Sequence, residues 1–147
     1  MKKNNILILA IIIVIIIAVV SIIYVKYKNY KAQQNKIKEN NLEYETYLNK
    51  EILGTELTTF INKAVDNNEK NKVPKDEQGN YIPNDTSSIK IEIKITDNDT
   101  LYQMETLYGG GMATFVAYYN DIHFECTKIG YNSLGKVNYM LFEQKTN

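Results

Sequence analysis

Few residues in this chain could do chemistry. One histidine, His123, and one cysteine, Cys126, form the conventional pair for nucleophilic catalysis. They stand three apart in an expected strand, where successive side chains alternate between faces, so they point away from each other. A working dyad needs hydrogen-bond reach, and none is expected. With no second His or Cys, a zinc site would have to lean on carboxylates, which zinc seldom does. The expected roles are structural: His123 at a helix–strand junction, and Cys126 as a small core residue.

Three further patterns could carry chemistry. Gly109-Gly110-Gly111 could turn backbone N–H groups toward an anion, but Met112-Ala113-Thr114 follows where a phosphate loop carries Gly-Lys-Ser/Thr. A flexible strand-to-helix turn is expected there. Asp76, Gln78, Gly79, Asn80 and Asp85 loosely follow calcium-loop spacing. With Gly79 at the turn, however, Pro74 fills the first ligand position and has no side-chain oxygen to offer. Glu105 and Glu125 would be the acids of a carboxylate-dependent enzyme if a cleft surrounds them. No cofactor and no metal site is expected.

Tyrosine is abundant, with 12 in the chain, while Trp and Arg are absent. Lack of Arg removes bidentate capture of phosphate or carboxylate. Tyrosine combines large contact area with a polar tip and is enriched at interfaces. Tyr108, Tyr118 and Tyr131 are the expected partner surface; Tyr118 and Tyr119 cannot both be fully buried on one helix.

The elements that must carry these residues begin with a membrane segment. Ile6 to Val25, with Ile16 near its centre, is an apolar run broken only by Ser21 and Tyr24. At the helical rise it spans about 30 Å, the thickness of a bilayer's hydrocarbon core. No small-x-small site follows it and no cysteine marks a lipoprotein, so an uncleaved anchor is expected behind a short basic tail, residues 1–5. Lys26, Lys28, Lys31, Lys36 and Lys38 come next, with no acid before Glu39. Counting lysines alone favours an inward-facing C-terminus. The short tail and signal-anchor opening favour the reverse, and an extracytoplasmic domain is the expectation taken.

Formal net charge is zero, but residues 39–147 hold 10 Lys against 17 Asp and Glu, a net of −7. The tether is basic and the domain acidic, which suits an anionic bilayer surface next to the tether and excludes a nucleic-acid partner. The expected partners are the lipid bilayer, through one helix, and a protein.

Residues 26–50 read as a basic, then polar, helical stalk with a thin apolar seam at Ile37, Tyr44, Leu48 and Ile52. Residues 51–147 read as a small α+β domain. Leu53, Leu57, Phe60, Ile61, Ala64 and Val65 recur at helical spacing, and the pattern ends in Asp66–Asn71, read as loop. Ile89, Ile91, Ile93 and Ile95 alternate with charges as a strand. Asp97-Asn98-Asp99 is a turn, and Thr100–Tyr108 returns as a second strand. Met112–Tyr119 is a short helix. His123–Tyr131 and Lys136–Glu143 form a hairpin around Asn132-Ser133-Leu134-Gly135. The order helix-strand-strand-helix-strand-strand predicts a four-stranded antiparallel sheet with helices on one face.

Ile52–Leu57, Lys75–Ile82, Asn84–Ile89, Phe124–Ile129 and Tyr139-Met140 carry a resemblance to a group of small single-span bacterial envelope proteins with no assigned function. That resemblance implies a membrane-anchored envelope domain and brings no catalytic residues. A more distant architectural similarity is to type IV pilins and pseudopilins, which also set an apolar helix before an antiparallel sheet. It implies a structural subunit of an envelope assembly. Prepilin processing needs a Gly before the apolar start and a Glu shortly after it; no Gly precedes Ile6 and the run holds no Glu. The function expected is a membrane-anchored binding or assembly module without catalytic activity. A pilin-like subunit and a carboxylate-dependent enzyme are the alternatives.

Overall fold

The structure is a computed structural model, which describes residues 2–146. The chain divides into two compact units, Met1–Lys38 and Glu39–Asn147. From Lys2 onward the first is part of helix α1 (Lys2–Glu45), whose last turns belong to the second. Ile6, Ile16 and Val25 are exposed, as are the other apolar side chains between them. The most apolar window of this helix has a mean hydropathy of 3.8 and no buried share, so α1 is long and apolar enough to cross a membrane. Ser21, a polar interruption, donates its hydroxyl to the Ile17 carbonyl at 2.7 Å. A hydroxyl satisfied within its own helix can enter hydrocarbon at low cost.

The second unit is mixed α+β. Strand β1 (Glu51–Leu53) leads into α2 (Gly54–Lys70), then β2 (Lys90–Ile95) and β3 (Thr100–Gln103). A single helical turn, α3 (Met104–Thr106), passes through a wide turn at Leu107–Gly111 into α4 (Met112–Tyr119). The hairpin β4 (His123–Tyr131) and β5 (Val137–Gln144) completes the sheet, whose order is β1-β4-β5-β2-β3.

The expected hairpins β2–β3 and β4–β5 are both present and antiparallel. The sheet differs from expectation in two ways. It has five strands, and its central pair, β2 and β5, runs parallel, with Ile91 opposite Met140 and Ile93 opposite Phe142. Two hairpins placed edge to edge through their inner strands give this result whenever those strands share a direction. The fifth strand lies where the sequence predicts stalk and helix. Ile52 is instead buried opposite Phe124, and α1 stops at Glu45 rather than reaching Lys50. Asn49, at φ 58, turns the chain there, and its N–H donates to the Cys126 carbonyl at 2.8 Å.

Two more boundaries moved. The second strand ends at Gln103, not Tyr108, because Met104 and Leu107 are both fully buried. Residues three apart share a face on a helix and not on a strand. Helix α2 continues through the expected loop to Lys70, with Asn68 extending the buried stripe of Leu57, Phe60, Ile61, Ala64 and Val65. The helical stripe and the sheet face carrying Ile91, Ile93, Ile95, Phe124, Cys126, Met140 and Phe142 make one core. Phe60 meets Phe142 edge-on at 5.6 Å between ring centres.

Polar clamps fix this core to its surroundings. Asn41 donates to the Gly135 carbonyl at 2.7 Å and accepts from the Val137 N–H at 2.8 Å, so the end of α1 grips the β4–β5 hairpin. Gln144 accepts from the Thr96 N–H at 3.1 Å and donates to Asp97 at 2.7 Å, closing the β2–β3 turn. Asn41 and Gln144 are themselves buried, and these bonds satisfy their amides.

Candidate functional site

His123 and Cys126 fall on opposite sides of β4. His123 is exposed, its Nδ1 3.7 Å from Glu51. Cys126 is buried in the core, where desolvation raises its thiol to about 11. A thiol held protonated and away from solvent is a poor nucleophile. Among the described residues, no group of three or more His, Cys, Asp or Glu side chains is placed to hold a metal.

The loop with calcium-like spacing is closed on itself. Asp76 accepts from the backbone N–H groups of Gln78 at 3.0 Å and Asn80 at 2.8 Å, and from the Asn80 side chain at 3.1 Å. These bonds, led by the Asn80 backbone, hold the Asp76 carboxyl below its ordinary range. Its oxygens are spent on the turn. The three glycines lie in the wide helical turn before α4 instead of ending a strand, and Gly110 takes a φ of 149 that favours glycine.

Glu105 and Glu125 do not form a pair. Glu125 sits on the open face of β4, 2.7 Å from Lys145. Glu105, on α3, lines a cavity of about 230 Å³ together with Tyr81, Lys75, Asn80 and Tyr108. One Glu105 oxygen accepts from the Tyr81 N–H at 3.2 Å, while Oε2 is buried without a hydrogen-bond partner. Beside it, Glu69 accepts from Lys75 at 2.7 Å and from the Tyr81 hydroxyl at 2.6 Å. Desolvation, with that bond to Glu69, pushes the Tyr81 hydroxyl up to about 12. The cavity therefore offers one carboxylate, the phenols of Tyr81 and Tyr108, and an ammonium already engaged by Glu69.

A second recess is aromatic. A groove of about 370 Å³ lies between β3 and α4, lined by Tyr102, Leu107, Phe115, Tyr118 and Tyr119. Helical spacing explains the set: Phe115 is buried against Phe124 at 5.7 Å, and Tyr119, one turn on, is 5.1 Å from Phe115. Tyr102 approaches Phe115 edge-on at 6.3 Å from the strand side. Desolvation raises the Tyr119 hydroxyl, and the charge of Asp97 adds to it. Tyr118 sits at the rim and is 74% exposed. A large apolar ring left in water beside an apolar groove is the surface signature of a contact site.

The three expected partner-surface tyrosines do not share one cavity. Tyr118 lines the aromatic groove and Tyr108 the Glu105 cavity. Tyr131 lies at the end of β4, donating its hydroxyl to Glu45 at 2.9 Å. Desolvation and that carboxylate raise its titration above the ordinary tyrosine value. Lys26, Lys28 and Lys31 are exposed on α1. Sequence reasoning missed the partners of Tyr118 in the groove and the exposed Leu101 on β3. Alternation along a strand puts Leu101 and Tyr102 on opposite faces, so that signal is present in the sequence.

No family model, no curated protein and no solved structure matches this chain.

Proposed function

We propose that this protein is a membrane-anchored binding or assembly module, held in the bilayer by Ile6–Val25, with its acidic α+β domain extracytoplasmic and its partner face at the Tyr118 groove. The observation that carries the reading is Tyr118, 74% exposed at the rim of an apolar aromatic groove. Exposed aromatics around such grooves supply binding energy because their burial removes large apolar area without much loss of rotamer freedom. The module is non-catalytic in this reading: its one thiol is buried, its one imidazole is exposed, and Glu105 and Glu125 lie on different sides of the sheet.

The Glu105 cavity favours a second reading, a carboxylate-dependent enzyme, since it places a carboxylate with an unpaired oxygen beside a recess. In that reading only tyrosine hydroxyls and a lysine already paired with Glu69 stand beside Glu105 to share proton transfer. The pilin-like alternative gains no specific support from the geometry of the domain.

Photo-crosslinking in living cells tests the leading reading. With a benzophenone amino acid at position 118, a discrete protein adduct is expected, and a much weaker one from position 131, whose hydroxyl is already bonded to Glu45. Equal or absent adducts from both positions would remove the Tyr118 groove as the partner face.

A further inference from the structure

Among the described residues, Glu105 Oε2 is the one buried side-chain oxygen or nitrogen without a hydrogen-bond partner. An ionised carboxylate only accepts hydrogen bonds, and leaving one of its oxygens buried and unpaired is costly. The acid next to it is fully matched. Glu69 accepts from the Lys75 ammonium at 2.7 Å and from the Tyr81 hydroxyl at 2.6 Å, and the same ammonium lies 4.6 Å from the centre of the Tyr81 ring. Carboxylate, ammonium and ring satisfy one another in that arrangement. Glu105 and Tyr108 repeat the carboxylate and the ring three positions apart, and both line the cavity of about 230 Å³.

We propose that this cavity binds a primary ammonium group, with Glu105 as its counter-charge and the Tyr108 ring beside it. The site is separate from the Tyr118 groove and does not depend on it. The terminal torsion of a glutamate is soft, so a small turn of the carboxylate presents Oε2 to a donor while Oε1 keeps the Tyr81 N–H. An ammonium brings three N–H donors, and the side-chain oxygens of Asn80 and Thr106 are further acceptors in the lining. A divalent metal fits poorly. Calcium takes about six to eight oxygens, whereas Glu105 is the one acid of the lining and Asp76 spends its oxygens on its own turn. An anion would meet the Glu105 charge, while the Lys75 charge is already neutralised by Glu69. At about 30 Å³ for each water-sized group, the cavity takes a ligand of roughly seven or eight non-hydrogen atoms. A free amine of that size and a lysine side chain share this chemistry.

Titration of the full chain, in a zwitterionic detergent, with trifluorobutylammonium chloride tests the site by fluorine NMR. Trifluorobutanol serves as the uncharged control. A dissociation constant on the order of a millimolar is expected for the amine. Glu105→Gln, whose amide oxygen still accepts from the Tyr81 N–H, is expected to weaken it about tenfold or more. Glu77→Gln removes the same charge from an exposed position in the neighbouring loop and is expected to stay within about twofold of the unaltered chain. Tyr108→Leu, at a position 52% exposed, is expected to weaken binding about threefold, and it decides the question if Glu105→Gln proves unfolded. Displacement of the amine by N-acetyl-lysine methylamide would point to a lysine side chain of a protein partner, and no displacement to a free amine. Equal affinity with and without the Glu105 charge would overturn the proposal. So would an equal loss from Glu77→Gln, which would mean attraction to the acidic domain as a whole, or binding of the alcohol as tight as that of the amine.

Discussion

Gly54→Ala is expected to destabilise the folded domain by about 3 kcal/mol or more, a large share of the 5–15 kcal/mol typical of a domain. Gly54 opens α2, and its N–H donates to the Ile122 carbonyl at 2.9 Å, so α2 starts against the chain that leaves α4. A Cβ built on Gly54 would lie 1.9 Å from the Tyr119 carbonyl oxygen and 2.7 Å from its carbon. Both are backbone atoms, and no rotamer change relieves them. The α2–α4 contact must therefore open, and with it the support beneath Phe115 and Tyr119. For a domain of this size the loss corresponds to a fall in midpoint of roughly 10–20 °C. Thermal unfolding in detergent, followed by alkylation of Cys126, reads it directly, because that thiol is buried until the core opens. An unchanged midpoint would mean that α2 and α4 do not meet at this closeness.

Asn68→Ala should be nearly as severe, costing about 2–4 kcal/mol through two buried backbone groups left unpaired. Asn68 is fully buried on the last turns of α2. Its amide donates to the Ile89 carbonyl at 2.8 Å and its oxygen accepts from the Ile89 N–H at 2.9 Å. The side chain thus acts as one more partner for the residue that precedes β2, binding helix to sheet where no strand can. Asn67→Ala provides the comparison. Asn67 reaches the Ser87 carbonyl at 2.8 Å from a less buried position, and a loss of about 1 kcal/mol is expected. If both substitutions cost the same small amount in the same alkylation assay, the clamp on Ile89 does not hold the domain together.

These two residues also show what could be read from the sequence. The stripe from Leu57 to Val65 and the alternation from Ile89 to Ile95 are strong periodic signals, and the helix and strand they imply are present. The polar run Asp66–Asn71 reads as loop chemistry, and only the tertiary partner of Asn68, Ile89, explains why the helix continues through it. The strand at Ile52 was lost for a related reason. Three residues carry too little pattern to compete with the helical spacing on either side, and the burial of Ile52 is decided by Phe124, more than seventy positions away. The parallel pairing of β2 with β5 was equally invisible, since either hairpin alone is satisfied in an all-antiparallel sheet. Of the groove, Tyr118 could be singled out by its position next to Tyr119 on one short helix. Tyr102 and Leu107 joined it only when β3 turned into helix at Met104, a change that the Met104–Leu107 spacing carried but that the run of strand-forming residues concealed.

In the proposed reading, Ile6–Val25 holds the domain outside the cytoplasmic membrane. Protease treatment of intact cells carrying a tag after Lys145, with lysed cells alongside, tests this most directly. The tag is expected to disappear from intact cells while a cytoplasmic marker survives. Survival of the tag until lysis would contradict the account: Lys26, Lys28, Lys31, Lys36 and Lys38 would then have set the topology, and the Tyr118 groove would face partners inside the cell.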